Sequence, residues 1–165
     1  MDFLKGAIVV FGTKLVLTFP LFENFKLDAL SVCLISALFA VTGHCFPAFY
    51  KFRGGKGILL AAMCMVLTDP VVFILEAIMF VTLVAVTKYI SIGSLAACVG
   101  YPIYTMLWET AANAWFGGSY ENISLHALII LPMFFMCYGR HFSNIRHLWS
   151  GEEKKFYLHK KGEEE

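Results

Sequence analysis

A chain of 165 residues that is 59% hydrophobic and only 15% charged, with a mean hydropathy of +0.71, carries more apolar surface than a soluble domain of this length can bury. Its formal charge of +1 gives no basic surface for nucleic acid. The composition therefore predicts an all-α, polytopic integral membrane helix bundle.

Apolar runs at residues 7–22, 29–49, 58–67, 71–86, 95–108 and 125–138 predict about six transmembrane helices. Several fall short of the roughly 20 residues a perpendicular helix needs to cross a ~30 Å core. The 58–67 run is the weakest, and is expected to be re-entrant or to borrow flanking residues. Lys5 precedes the first run without a convincing small-residue cleavage site after it, so that run reads as a retained span.

Two ionisable residues fall inside the runs, Lys14 and Glu76; the sequence leaves open mutual pairing, snorkelling of Lys14 to the interface, or a neutral Glu76. Thr68-Asp69-Pro70 predicts a tight turn with Pro70 at a helix start. The 109–124 stretch, with Trp115, Gly117, Gly118 and Tyr120, predicts an outer connection with interfacial aromatics. Cys33, Cys45, Cys64, Cys98 and Cys137 are scattered singly through apolar runs and read as small buried hydrophobes, neither a zinc site nor a disulfide framework. Residues 152–165 form a charged tail, expected to be cytoplasmic and solvated.

Charge gives the topology. With the N-terminus cytoplasmic, Lys5, Lys51, Arg53, Lys56, Lys88, Arg140, Arg146, Lys154, Lys155, Lys160 and Lys161 all fall inside. The outer loops keep Lys26 alone among cations, beside Glu23, Asp28, Asp69, Glu109 and Glu121. This positive-inside pattern puts both termini in the cytoplasm.

One stretch concentrates polar chemistry between apolar runs: Gly43-His44-Cys45-Phe46-Pro47-Ala48-Phe49-Tyr50-Lys51-Phe52-Arg53-Gly54-Gly55-Lys56-Gly57. Gly54, Gly55 and Gly57 let the backbone turn tightly and approach a ligand closely, and the apolar run from Ile58 makes Gly57 a helix start. Free amides there, beside Lys51, Arg53 and Lys56, form a candidate phosphate site. The spacing is not that of a Walker A loop, so this is no nucleotide P-loop. A plain basic turn between membrane helices is the competing reading. Further on, Thr87-Lys88-Tyr89-Ile90-Ser91-Ile92-Gly93-Ser94 offers hydroxyls for capping a helix or for holding a phosphate. Arg140-His141-Phe142-Ser143-Asn144-Ile145-Arg146-His147-Leu148-Trp149-Ser150-Gly151-Glu152-Glu153 reads as an amphipathic interfacial helix, on which His141 and Asn144 are three residues apart.

Together these three segments resemble the bacterial acyl-phosphate:glycerol-3-phosphate acyltransferases, the PlsY family. Gly-His-x-Phe-Pro-x-Phe followed by Gly-Gly-Lys-Gly matches its central motif. Tyr89-x-Ser91-Ile92-x-Ser94 resembles its Tyr-x-Ser-Leu-x-Ser turn. Arg140, His141, Asn144, Ile145, Leu148, Gly151 and Glu153 match its third motif, from which the chain departs at His147 and Phe142. Asp2-Phe3-Leu4-Lys5-Gly6 resembles the Asp-x-x-Lys-Gly that opens a later helix of the family. The first span and the Gly-Ser-Gly-Asn-x-Gly loop that the family places ahead of it are not found, so the 1–151 membrane acyltransferase domain is expected to be N-terminally short.

The resemblance implies acyl transfer from acyl phosphate to the 1-hydroxyl of glycerol 3-phosphate, at a cytoplasmic site in the bacterial inner membrane, with no metal or nucleotide cofactor. Its implied partners are membrane lipid and, functionally, the phosphate acyltransferase that forms acyl phosphate. It implies phosphate binding by Arg53, Gly54, Gly55, Lys56 and Gly57. Ser94, less firmly Ser91, then completes the glycerol-phosphate site with His141 and Asn144, and Glu153 is structural. His44, Lys56, His141 and Asn144 are the candidate catalytic residues. The proton of the attacking hydroxyl could pass to His44, to His141 or to a substrate phosphate. The alternative is a catalytically inactive truncated homologue, or a membrane subunit that binds phosphorylated metabolites.

Overall fold

A computed structural model describes residues 1–20, 27–117 and 122–157. Of the positions used above, Phe22, Glu23, Lys26, Gly118, Tyr120, Glu121, Lys160 and Lys161 lie outside the described residues. The described chain is all-helical and without strands: α1 (Asp2–Val16), α2 (Ala29–Cys45), α3 (Ile58–Thr68), α4 (Pro70–Thr87), α5 (Ile90–Phe116), α6 (Ile123–Arg140) and α7 (Phe142–Ser150), with a 3₁₀ turn at Ala48–Tyr50.

Six of these helices run alternately between two ends of one bundle. At one end, His44 in the last turn of α2 lies 3.6 Å from Asp2 in the first turn of α1. Gly57, at the head of α3, packs there on the thiols of Cys45 and Cys137 near the ends of α2 and α6. At the other end, Lys14 near the end of α1 reaches the Leu67 carbonyl near the end of α3, and His126 early in α6 meets Glu109 late in α5 and Asp28 ahead of α2. Four helical segments, Ala29–Tyr50, Pro70–Thr87, Ile90–Phe116 and Ile123–Arg140, are long and apolar enough to cross a membrane. The helices of the other two expected spans, α1 and α3, reach only about 22 and 16 Å by their residue counts, and the weak 58–67 run is the shorter.

Polarity is distributed as in a lipid-facing protein. Ile8, Phe11, Phe39, Ile78 and Phe135 are exposed on the outside, while Ser31, Glu76, Thr105, Glu109 and His126 are buried inside. Glycines on α5 let α4 approach: a Cβ on Gly93 would meet the Phe80 ring at 2.8 Å. Asp69 accepts from the Val72 amide at 3.3 Å and Pro70 opens α4, as the turn chemistry predicts. All five cysteines are free and buried.

One expectation needs correction, and one left open is narrowed. The fifth span is longer than the 95–108 run, because α5 continues over Ser91, Gly93 and Ser94 at its start and Glu109 further on, polar and small residues that neighbouring helices bury. Of the alternatives left open for Lys14 and Glu76, mutual pairing is not the one seen: Lys14 donates to Leu67 O at 2.7 Å, where it meets the negative end of α3, and both Glu76 carboxyl oxygens are buried without a partner among the described residues.

Candidate active site

The segment between α2 and α3 folds back on the end of α2. The Ala48–Tyr50 turn is closed by Tyr50 and Phe52 amides donating to Pro47 O, both at 3.1 Å, and Lys51 and Phe52 take left-handed conformations (φ 53° and 58°) that reverse the chain. Gly55 N–H then donates to His44 O at 3.3 Å. A Cβ on Gly54 would collide with the His44 carbonyl and the Pro47 ring, and one on Gly55 with the His44 imidazole, so close approach dictates both glycines. Gly57, at φ 82°, starts α3, and no side chain caps that helix. Its first amides are left to water or to an anion.

Arg140 holds this loop from α6. Its guanidinium donates to Gly55 O at 3.1 Å and to Gly54 O, and its Cζ sits 5.6 Å from the centre of the Phe46 ring. The motif match includes Arg140, but sequence reasoning gives it no role. A cation at the end of an apolar run reads only as a topology signal, because the carbonyl it meets on Gly55 lies 85 residues earlier in the chain.

A second cluster forms where α5 begins. The Asn144 amide donates to Ser91 Oγ at 2.8 Å and to Glu153 Oε1 at 3.1 Å, and the Ser91 hydroxyl donates to the same Glu153 oxygen. Gly151, left-handed at φ 74°, ends α7 and turns the chain so that Glu152 and Glu153 amides reach His147 O. Phe156 N–H then donates to Lys88 O at 2.7 Å, tying the start of the tail to the α4–α5 turn. Burial alone would raise the Glu153 carboxyl; hydrogen bonds from Ser91 and Asn144, with His147 and Lys56 nearby, outweigh it and lower it.

His141, between α6 and α7, is 2% exposed and its Nδ1 lies 2.8 Å from Cys137 O, so Nδ1 carries the hydrogen and Nε2 is the acceptor. Burial lowers its pKa; the Cys137 carbonyl opposes this, and the Lys56 charge adds to it. Lys56 thus bears electrostatically on both clusters. Neither Ser91 nor Ser94 caps α5; Ser91 is engaged by Asn144 and Glu153, and the Ser94 hydroxyl has no partner among the described residues. Arg53 and Lys51 are exposed on the loop and make no side-chain bond among the described residues. Beneath Gly57 opens a cavity of about 240 Å³, lined almost wholly by apolar side chains of α3, α4, α5 and α6, from Ile58 and Cys137 at the site end to Phe73 and Met65.

Residues 1–151 match the glycerol-3-phosphate acyltransferase family. Among curated relatives, the glycerol-3-phosphate acyltransferases of Finegoldia magna and Clostridioides difficile are 29% and 30% identical, over 94% and 93% of this chain and 67% of each relative. That of Geobacillus kaustophilus is 30% identical over 74% of this chain and 56% of its own length. The chain thus spans about two thirds or less of these proteins. The crystal structure of PlsY, an integral membrane glycerol 3-phosphate acyltransferase, in its glycerol 3-phosphate form superposes with a TM-score of 0.69 at 22% identity, covering 94% of this chain and 69% of that one. That likeness speaks for the fold; the family match over residues 1–151, nearly the whole chain, establishes that the chain belongs to the glycerol-3-phosphate acyltransferase family.

Proposed function

We propose that the chain transfers a fatty acyl group from acyl phosphate to the 1-hydroxyl of glycerol 3-phosphate, giving 1-acyl-glycerol 3-phosphate and inorganic phosphate. The observation that carries this reading is the closeness, at one end of the bundle, of a glycine loop rich in amides and cations to an apolar cavity whose lining begins at Ile58, the residue after that loop. A reaction between two phosphorylated substrates, one of them bearing a long alkyl tail, needs both. The names of the relatives support the acceptor and the product class.

In this reading Gly54, Gly55, Lys56 and Gly57 bind phosphate, with Arg53 at the loop's exposed edge. Ser94 offers its unengaged hydroxyl to the glycerol phosphate. Ser91, Asn144 and Glu153 hold one another and fix the wall of that site, and Arg140 holds the loop against it. The substrate hydroxyl attacks the acyl carbon, the carbon–oxygen bond to phosphate breaks, and the hydroxyl proton leaves with the released phosphate. Substrate phosphate is favoured as the base because His141 is buried and His44 is wedged against Gly55. Electrostatic stabilisation of the leaving phosphate by the loop amides and Lys56 supplies most of the acceleration. The basic residues of the site end support a cytoplasmic face for it in a bacterial inner membrane, with acyl phosphate supplied by a phosphate acyltransferase.

The test uses the purified chain in detergent with long-chain acyl phosphate and labelled glycerol 3-phosphate. Labelled 1-acyl-glycerol 3-phosphate is expected, with Lys56→Ala slowing its formation about a hundredfold. A folded chain that binds glycerol 3-phosphate saturably but forms no product would make it a binding protein instead.

A further inference from the structure

Glu76 is 4% exposed, lines the apolar cavity, and has no hydrogen-bond partner for either carboxyl oxygen among the described residues. The neighbouring helix makes room for it: a Cβ on Gly100 of α5 would run into Glu76 Oε1 and come within 2.9 Å of the Met79 methyl. The Tyr101 hydroxyl and the weakly donating Cys98 and Cys137 thiols also line the cavity, yet none of them bonds either Glu76 oxygen. A buried carboxyl left without partners is unfavourable by more than an ordinary hydrogen bond contributes, and a plain alkyl chain filling the cavity would leave it so.

The depth of Glu76 identifies what could meet it. Gly100 lies six residues beyond Ser94 on α5, about 9 Å along the helix axis. An acyl chain with its reactive end at the glycine loop passes Glu76 near the chain's middle.

We propose that Glu76 makes the cavity selective for acyl chains that carry a hydroxyl near mid-chain, the hydroxyl donating to the Glu76 carboxyl. The inference rests on the reading of this cavity as the acyl-chain site. It adds to that reading a specificity-determining residue far from the reacting atoms and a class of donor substrate.

Hexadecanoyl phosphate and its mid-chain hydroxy counterpart, offered separately to wild type and to Glu76→Leu, provide the test. The wild-type chain is expected to favour the hydroxylated donor about tenfold in kcat/KM, and Glu76→Leu to lose that preference by gaining on the plain chain. Equal rates for the two donors in wild type overturn the proposal, and that comparison stands even where the variant fails to fold. A preference that survives Glu76→Leu overturns it as well. Should no donor be turned over, the acyl-transfer reading fails, and thermal stabilisation by the two free fatty acids decides this one separately. Stronger stabilisation of wild type by the hydroxy acid supports it, and equal stabilisation overturns it.

Discussion

Gly54 and Gly55 resist substitution for different physical reasons. A Cβ on Gly54 meets the backbone carbonyl of His44, which cannot move without unwinding the end of α2, whereas the three atoms nearest a Cβ on Gly55 all belong to the His44 imidazole. Gly55→Ala is therefore expected to be rescued by removing that ring. In thermal unfolding, His44→Ala/Gly55→Ala should melt close to His44→Ala alone, while His44→Ala/Gly54→Ala should remain about 1–3 kcal/mol less stable. Equal penalties for the two double mutants would contradict the packing described here. The glycines themselves were legible in the sequence, because Gly-Gly-Lys-Gly before an apolar run predicts close backbone approach. The atoms they approach were not. Only folding brings His44, ten residues before Gly54, back beneath the loop.

At the scale of elements, α7 and the segment after it act as a clasp over the start of α5. Its hold depends on two groups with lowered pKa values. Glu153 binds its proton less readily folded than unfolded, so its stabilisation is complete above the ordinary 4.5 and is lost as pH falls through the lower folded value. His141 is also lowered, by burial first; its neutral folded form stabilises fully above the ordinary 6.5, and that contribution falls away as pH drops from 6.5 toward the folded value. Acidification is thus expected to weaken the α6–α7 junction before it opens the clasp. Amide exchange at Ile145, bonded to His141 O, should accelerate at higher pH than exchange at Phe156, bonded to Lys88 O. The reverse order would contradict the assignment. The third motif showed this segment as chemistry-bearing, and spacing gave an amphipathic helix. The left-handed Gly151 that turns Glu153 onto Ser91 rests on a contact across 62 residues, which periodicity does not report. Hydropathy likewise found α5 but cut it short, since buried Ser91, Gly93 and Glu109 score like loop residues.

Over the whole molecule, the bundle carries a second buried polar group at the end opposite the site. His126, 1% exposed, faces Glu109 through Nδ1 at 2.9 Å, and Asp28 and Ser31 through Nε2 at 3.2 and 3.0 Å; Asn122 closes on Asp28 at 2.6 Å. Asp28 also caps α2 through the Ser31 amide, and burial that would raise its carboxyl is outweighed by Ser31, Asn122 and His126, which hold it well below the usual range. These residues join α2, α5 and α6 far from the glycine loop. His126→Leu strands Glu109, and is expected to lower unfolding stability by about 3–5 kcal/mol while leaving the KM for glycerol 3-phosphate within about twofold of wild type. A large change in KM in a folded variant would mean that the two ends are coupled. Sequence charge counting read Asp28 and Glu109 as outer-loop acids; their union with His126 spans up to 98 residues and was beyond its reach. The cavity beneath the site has one more consequence. Leu59 and Val81 line it and are each 63% exposed on the flank of the bundle, so it opens sideways between helices. On the acyl-transfer reading proposed above, a tail seated there slips out edgeways into the surrounding lipid, and the newly made ester joins the membrane by lateral drift without its alkyl chain crossing water.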